Sequence, residues 1–299
     1  MTDLNLVFQP SSVAVVGASN KPGSVGNSLI NNLIRGFAGR IYPVNPKDES
    51  VAGLKAYLSL SAISAPIDLM IIAVPAAIVP SVLEEGGRLG IKGAVVISAG
   101  FKEAGREDLE KQLQEICQRY DITLIGPNCL GVINPALSLN ASFTAMDPEP
   151  GKVAFVSQSG AICTAVIDCA QAMGIGFSKF ISVGNKAVID ELAILDYLAA
   201  DQETEIIALY AEQLSQPEKL MAQVRSLSYQ KSHKPVIILK SGRSTAGASA
   251  SASHTGALAG NDAAYAALFR QAGIIRAEKM EELFDYLKIF SNNPIRLKR

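Results

Sequence analysis

Ser12-Val-Ala-Val-Val-Gly17-Ala-Ser-Asn-Lys-Pro-Gly23-Ser-Val-Gly26 is the stretch that decides the fold. It opens as a short, β-branched apolar run that stops at a glycine, as a central parallel strand does. A loop of small residues follows, and then the amphipathic run Asn27 to Arg35. Strand, glycine loop and helix in that order form the first unit of a nucleotide-binding sheet. Glycines let backbone approach a phosphate closely, and a helix N-terminus offers free N–H groups and a positive dipole end. The glycines at 17, 23 and 26 are spaced more widely than the dinucleotide G-x-G-x-x-G. That spacing disfavours a nicotinamide cofactor and leaves a phosphate-bearing ligand.

Outward from this unit the alternation continues. Arg40 to Asn45 reads as a second strand ending in Pro46-Lys47, with no acidic residue at its tip to hold a ribose hydroxyl. Asn45 and Lys47 suit a phosphorylated ribose instead. Asp68 to Val74 is a third strand closed by Pro75-Ala76, and Gly93 to Ser98 a fourth closed by Ala99-Gly100. A fifth, Ile122 to Gly126, runs into Pro127-Asn128-Cys129, and helices are predicted over 78–89 and 107–120. Small residues thus gather at the carboxyl ends of the strands, where open α/β sheets bind ligands.

Asn134 to Pro150 is polar and proline-containing and reads as an interdomain connection. The pattern then restarts. Strand Lys152 to Val156 leads through Ser157-Gln158-Ser159-Gly160 into an apolar helix, giving a second candidate anion site at a helix N-terminus. Strands follow at 177–183, ending in Gly184-Asn185-Lys186, at 205–210 with Glu212 just beyond, at 235–240 and at 274–276. The expected fold is α/β, two doubly wound parallel-sheet domains over residues 1–130 and 131–299.

Composition excludes several classes. With 48% hydrophobic residues, 18% charged and a net charge of −1, the chain has ample core and no electrostatic case for nucleic acid or an anionic membrane surface. The most apolar run, Ile67 to Leu83, is interrupted by Asp68, Pro75 and Pro80, and the start lacks a basic signal region. Four cysteines without CxxC spacing and two histidines make no zinc site, so no metal is expected on this chain. The expectation is a reduced, cytoplasmic protein with buried thiols.

Ser241 to Gly260 carries the chemistry. Nearly all of it is Gly, Ala, Ser or Thr, and His254 is the only bulky titratable group in it other than Arg243. Such a long loop of small residues between core elements is either a linker or functional. No Ser-His-Asp elbow, metal ligand set or P-loop lysine accompanies it. A histidine here suits nucleophilic catalysis through a phosphoryl intermediate. N–H groups at Ser159, Gly160 and Ala161 would steady the phosphate, and Glu212 could orient the imidazole. Against this stand blander readings: serine capping of a helix at 157–160, and a solvated strand-end carboxylate at 212. His233, in a polar loop before a strand, is left without a role.

Taken together, Ser253-His-Thr-Gly-Ala-Leu-Ala-Gly260, Ser157-Gln-Ser-Gly-Ala161, Ser182-Val-Gly-Asn-Lys186, Gly126-Pro-Asn-Cys-Leu-Gly131 and Ile97-Ser-Ala-Gly-Phe101 resemble the α subunit of ADP-forming acyl-CoA (acetate-CoA) synthetases. That family is related to the succinyl-CoA synthetase α subunit, and the resemblance runs from about residue 10 to about residue 290. It implies a Rossmann-like CoA-binding domain and a flavodoxin-like ligase domain. By position, Gly17, Ala18, Ser19, Lys21, Ser24 and Val25 match CoA-contacting loops. So do Asn45 and Lys47, Val74, Pro75 and Ala76, and Ser98, Ala99 and Gly100. His254 matches the histidine that is transiently phosphorylated, and Glu212 its supporting carboxylate. Ser157, Gln158, Ser159 and Gly160 match the turn that holds the phosphoryl group, and Asn128 lies by the acyl site. Gly184, Asn185, Lys186, Thr255 and Gly256 fall within the matched phosphate and acyl motifs.

The implied reaction converts acyl-CoA, ADP and phosphate to carboxylate, CoA and ATP. It requires coenzyme A, phosphate, and ADP or ATP with magnesium carried by a partner. The resemblance includes no ATP-grasp domain and no third, flavodoxin-like domain. A nucleotide-binding β subunit or domain is therefore an expected partner, with a small carboxylic acid or its acyl-CoA as substrate and an oligomeric assembly. A competing expectation is the acyl-CoA-sensing regulatory half of a lysine acetyltransferase. In such proteins the phospho-accepting histidine is commonly lost, so the intact Ser-His254-Thr-Gly argues for the enzyme.

Overall fold

β1 (Ser12–Val16) is buried along its whole length. A polar residue can open such a strand because the Ser12 hydroxyl has partners, the Pro66 carbonyl at 3.0 Å and the Asp68 carboxylate at 3.2 Å. The computed structural model describes residues 3–228, 234–242 and 262–292. Packing divides the chain into one unit of Met1–Asp147 with Ser182–Ile189, and a second of Pro148–Ile181 with Asp190–Arg299. The boundary expected at 130/131 falls inside the first unit.

In the first unit, β1 is followed by β2 (Arg40–Val44), the small antiparallel pair β3 (Ser50–Val51) and β4 (Leu54–Lys55), then β5 (Leu69–Ile72), β6 (Gly93–Val96) and β7 (Thr123–Ile125). The main sheet runs β2-β1-β5-β6-β7, all parallel. Helices α1 (Asn5–Phe8), α2 (Val25–Gly36), α3 (Val79–Arg88) and α4 (Glu107–Tyr120) complete it. Sheet order reverses between β1 and β5, so their carboxyl ends form the crevice in which such sheets bind ligands.

The stretch read as a polar connection is more ordered than expected. β8 (Gly131–Asn134) and β9 (Leu139–Ser142) form an antiparallel hairpin, and every residue of β9 is buried. Its polar side chains satisfy each other. Asn140 accepts from the Ser142 hydroxyl at 2.6 Å, while Asn32 of α2 donates to the carbonyls of Ser142 at 2.7 Å and Thr144 at 2.9 Å. Polarity in the sequence here marks internal hydrogen bonding rather than solvent.

The second unit holds β10 (Pro150–Ser157), β11 (Phe177–Ser182), β12 (Ile206–Ala211), β13 (Val236–Lys240) and β14 (Ile275–Ala277), in the order β14-β13-β12-β10-β11. The pairings of β12 with β10 and β13, and of β13 with β14, are parallel. Helices α5 (Gly160–Met173), α6 (Glu191–Ala200), α7 (Pro217–Ser228), α8 (Asp262–Ala272) and α9 (Met280–Asn292) surround them. Numbered within each unit, both sheets have the order 2-1-3-4-5, so the second has its own switch point, between β10 and β12. Phe155, Phe177 and Phe180 pack as an aromatic triad in its core, with ring centroids 5.1–6.5 Å apart.

One expectation about the thiols is corrected. None of the four cysteines is in a disulfide, and Cys117, Cys129 and Cys163 are buried, but Cys169 is exposed. Cys163, Val166, Ile167 and Ala170 form the buried face of α5, and the i, i+3, i+4 spacing turns position 169 outward. Among the described residues, no helix is long and apolar enough to cross a membrane.

Candidate functional site

The first switch point is built by close backbone approach. Gly17 has φ +92°, and a Cβ there would lie 2.3 Å from the Ala73 carbonyl oxygen at the end of β5. At Gly26, in the first turn of α2, a Cβ would sit 1.9 Å from the Gly17 carbonyl. The two glycines press helix, loop and neighbouring strand end together. Ser24 caps α2, its hydroxyl oxygen accepting from Asn27 N at 3.3 Å. That leaves the N–H groups of Val25 and Gly26 with no acceptor among the described residues. Two open donors at the positive end of a helix make an anion cradle.

The side chains nominated around this cradle are mostly ties. Ser19 accepts from Lys21 N at 3.0 Å, and its carbonyl accepts from Asn27. Asn45 donates to the Ala18 carbonyl at 2.9 Å and accepts from Lys47 N at 2.7 Å, joining the tips of β1 and β2. The Ser98 hydroxyl donates to the Val74 carbonyl at 2.5 Å, joining the ends of β5 and β6 beside Pro75, Ala76 and Ala99. Lys21 and Lys47 are exposed and can reach an anion in solvent. One residue escaped the sequence reading. Asp48 stands at the β2 tip that was read as free of acid, its carboxylate accepting from Asn45 at 3.2 Å and Asn20 at 3.3 Å.

A second cluster in the same unit joins Asn128 to Asn185. Asn128 occupies the left-handed region (φ +59°), which asparagine tolerates, and donates to Asn185 Oδ1 at 3.2 Å. The Asn185 amide in turn donates to Glu103 at 2.6 Å and to Glu110 at 2.9 Å. Glu103 uses its other oxygen to accept from Gly100 N at 2.6 Å and Phe101 N at 3.2 Å. Burial pushes the Glu103 carboxyl up, but the hydrogen bonds from Asn185, Gly100 and Phe101 outweigh it and hold the group below the usual carboxylate range. Neither glutamate was singled out from sequence, because both sit in ordinary helix-rich polar context. Gly184 and Lys186 flank Asn185 in this unit, both at positive φ.

The second unit repeats the design of the first. Ser159 caps α5, accepting from Ile162 N at 3.5 Å, and Gly160 N and Ala161 N have no acceptor among the described residues. Ser157 and Ser159 bond to each other, Ser159 N donating to Ser157 Oγ at 3.1 Å and the Ser157 hydroxyl to Ser159 O at 2.9 Å. Gln158 spans the switch point. Its oxygen accepts from Glu212 N at 2.8 Å and Gln213 N at 2.9 Å, and its amide donates to the Gln213 carbonyl at 2.5 Å. Glu212 is thereby fixed by its backbone, while its carboxylate has no hydrogen-bond partner among the described residues. Lys240 is buried at the end of β13, donates to the carbonyls of Glu212 and Ser241 at 2.7 Å each, and lies over the Tyr265 ring at 5.2 Å. Desolvation lowers the Lys240 pKa, with Asp262 opposing that shift. His254, Thr255, Gly256 and His233 lie outside the described residues.

Comparison with known proteins agrees with this layout. Residues 11–135 match the model of a CoA binding domain, and residues 150–290 that of a succinyl-CoA ligase like flavodoxin domain. The acetate–CoA ligase [ADP-forming] I of Archaeoglobus fulgidus is 49% identical over 282 residues, which is 94% of this chain and 41% of that protein. The acetate–CoA ligase [ADP-forming] I subunit alpha of Pyrococcus furiosus is 42% identical over 97% of this chain and 64% of its own length. Among solved structures, acetyl-coenzyme A synthetase 1 of Ca. Korarchaeum cryptofilum, in complex with phosphate and ADP, superposes with a TM-score of 0.94 at 40% identity. That match covers 100% of this chain and 64% of the other. The chain therefore spans from about two fifths to just under two thirds of these relatives' length.

Proposed function

Since the chain belongs to the family of ADP-forming acyl-CoA ligases, carrying its CoA-binding and flavodoxin-like ligase domains, we propose that it performs the acyl-transfer half of the reaction acyl-CoA + ADP + phosphate = carboxylate + CoA + ATP. Phosphate oxygen attacks the thioester carbonyl, the C–S bond breaks, and CoA leaves as the thiol with an acyl phosphate remaining. His254 attacks the phosphorus of that acyl phosphate, releasing the carboxylate and forming phosphohistidine. ADP then takes the phosphoryl group to give ATP and regenerates the imidazole. Acetate is the acyl product assigned here, after the relatives' names.

The observation that carries this reading is the pair of open N–H groups at Gly160 and Ala161, on a serine-capped helix whose preceding turn is tied to Glu212. Preorganised backbone donors stabilise a phosphoryl group without reorganisation. The Val25 and Gly26 donors, with Lys21 and Lys47 in solvent reach, suit the phosphates of CoA, and Ser19, Asn45 and Ser98 hold that cradle in shape. Glu212, Thr255 and Gly256 support His254, and Asn128 receives the acyl end. The nucleotide and its magnesium are assigned to an ATP-grasp subunit or domain, and the assembly to the cytoplasm as an oligomer.

The test is direct. The chain is incubated with acetyl-CoA and labelled phosphate, and separately with an ATP-grasp partner and labelled ATP. An acid-labile, base-stable label that His254→Ala removes supports the ligase. Wild-type protein that stays unlabelled under both conditions overturns it, and tight CoA binding without label points instead to an acyl-CoA sensor.

A further inference from the structure

We propose that Glu103 and Glu110, acting through Asn185, fix which end of the Asn128 side-chain amide faces the acyl group. The inference rests on the ligase reading above, which places Asn128 at the acyl site. It adds three positioning residues that this reading does not use in that way.

Donor and acceptor parity fixes the orientation. A carboxylate only accepts hydrogen bonds, so two carboxylates at one end of the Asn185 amide require its NH2 group there. Glu103 Oε2 lies 2.6 Å from Asn185 Nδ2, and Glu110 Oε2 lies 2.9 Å from the same atom. Asn185 Oδ1 must then face the other way, where it accepts from Asn128 Nδ2 at 3.2 Å. That contact holds the Asn128 NH2 end and leaves its Oδ1 as the acceptor free among the described residues. The backbone around it does not give: Asn128 N donates to the Ser98 carbonyl at 2.9 Å and Asn185 N to the Pro127 carbonyl at 2.9 Å. An asparagine without such a relay would present either end of its amide to a ligand with little preference.

Glu103 is the stronger anchor, because its other oxygen is committed. Oε1 accepts from Gly100 N and Phe101 N, and those backbone donors cannot be reversed. The same carboxylate therefore ties the loop after β6 to the orientation of Asn128. It links the loop assigned to CoA with the residue assigned to the acyl group.

Glu103→Gln is the decisive variant, since it keeps shape and changes parity. The glutamine oxygen stays on Gly100 N and Phe101 N, which puts its NH2 against the Asn185 NH2. Donor meets donor, Glu110 opposes a flip of Asn185, and the relay fails. Single-turnover labelling from acetyl-CoA and labelled phosphate should slow by roughly fivefold, the low end of the cost of an unsatisfied donor, because Asn185 is half-buried. The dissociation constant for CoA, read by calorimetry, should stay within about threefold, because the loop contacts persist. Glu103→Ala should weaken both.

Asn185→Asp enters the relay from the other side. Alone it sets three carboxylates together and slows labelling; combined with E103Q and E110Q it recreates donor–acceptor pairs, inverted toward positions 103 and 110 but still accepting from Asn128 Nδ2, and should restore the rate. Several results overturn the relay: E103Q labelling at the wild-type rate, E103Q losing CoA affinity and labelling by the same factor, or the triple variant folding but remaining as slow as Asn185→Asp. Wild-type protein that binds no acetyl-CoA removes the ligase reading and the relay with it. Wild-type protein that labels alongside an unaffected E103Q removes the relay alone.

Discussion

Gly26→Ala sets two principles against each other. In a helix, alanine is favoured over glycine by up to about 1 kcal/mol, so propensity alone predicts a more stable protein. Packing predicts the opposite. The added Cβ would lie 1.9 Å from the Gly17 carbonyl oxygen, 2.9 Å from its carbon and 3.2 Å from Ala18 Cα. All three are backbone atoms, so no side chain can swing aside, and α2 must back away from β1. Overpacking of that kind costs about 1–3 kcal/mol, and so severe an overlap belongs at the upper end. The net is a loss of about 2 kcal/mol, or roughly 4–8 °C in melting temperature for a unit of this size. Retreat of α2 also carries away the Val25 and Gly26 N–H groups, so CoA affinity should fall by roughly tenfold or more. Gly23→Ala is the control. It has φ +74° and nothing within 4 Å of a Cβ, so it should cost only the left-handed backbone term of about 1–2 kcal/mol. Its CoA affinity should stay within about threefold of wild type. Thermal unfolding and calorimetric titration of the two variants decide the matter. If Gly26→Ala raises the melting temperature, or if Gly23→Ala loses more CoA affinity than Gly26→Ala, the close-approach argument is wrong.

Lys179 is fully buried beside Asp201 at 3.1 Å and Glu203 at 2.6 Å, so Lys179→Met should destabilise by about 3 kcal/mol in urea unfolding, because the buried Asp201 carboxylate loses its direct ion-pair partner and keeps only the Lys234 charge nearby. Glu103 has a depressed folded pKa, so its contribution is present above the ordinary carboxylate range and lost as pH falls through the lower folded value. Unfolding measured from pH 7 to pH 3 should accordingly decline less steeply in Glu103→Ala than in wild type. Burial pushes the Cys117 thiol up to about 12 while Cys169 is exposed. Native protein should therefore take up about one equivalent of iodoacetamide quickly, at Cys169, and Cys169→Ser should abolish that phase.

What could be read from sequence follows from where each signal is local. β1, β5 and β6 are continuous apolar runs ending in small residues, and α4 begins and ends where its periodicity and acidic first turn predict. The hairpin of β8 and β9 was hidden because Asn140, Ser142 and Thr144 are polar in the sequence and buried in the fold. Their partners are one another, Asp147, and Asn32, which is more than a hundred positions away. The recruitment of Ser182–Ile189 into the first unit was hidden for a similar reason. It depends on Asn185 meeting Glu103 and Glu110, 82 and 75 residues earlier. Local pattern cannot report a pairing of that range.

The nominated site residues divide by a rule that the sequence could not supply. Asn45, Ser98 and Gln158 were chosen as polar groups beside a ligand, yet each spends its hydrogen bonds tying two strand ends together. The open donors at both switch points are backbone N–H groups, at Val25 and Gly26 and at Gly160 and Ala161, which need no particular side chain and, at Gly26, need none at all. Ser24 and Ser159 leave them open by taking only the third N–H of the turn. Such an edge is suited to recognise anionic charge through geometry rather than through particular side chains. Replacing Asn45, Ser98 or Gln158 is therefore predicted to act as the loss of a strut. The expected signature is weaker binding of every ligand that uses the same cradle, by a similar factor, whereas loss of a direct contact would discriminate between ligands that possess the contacted group and those that lack it.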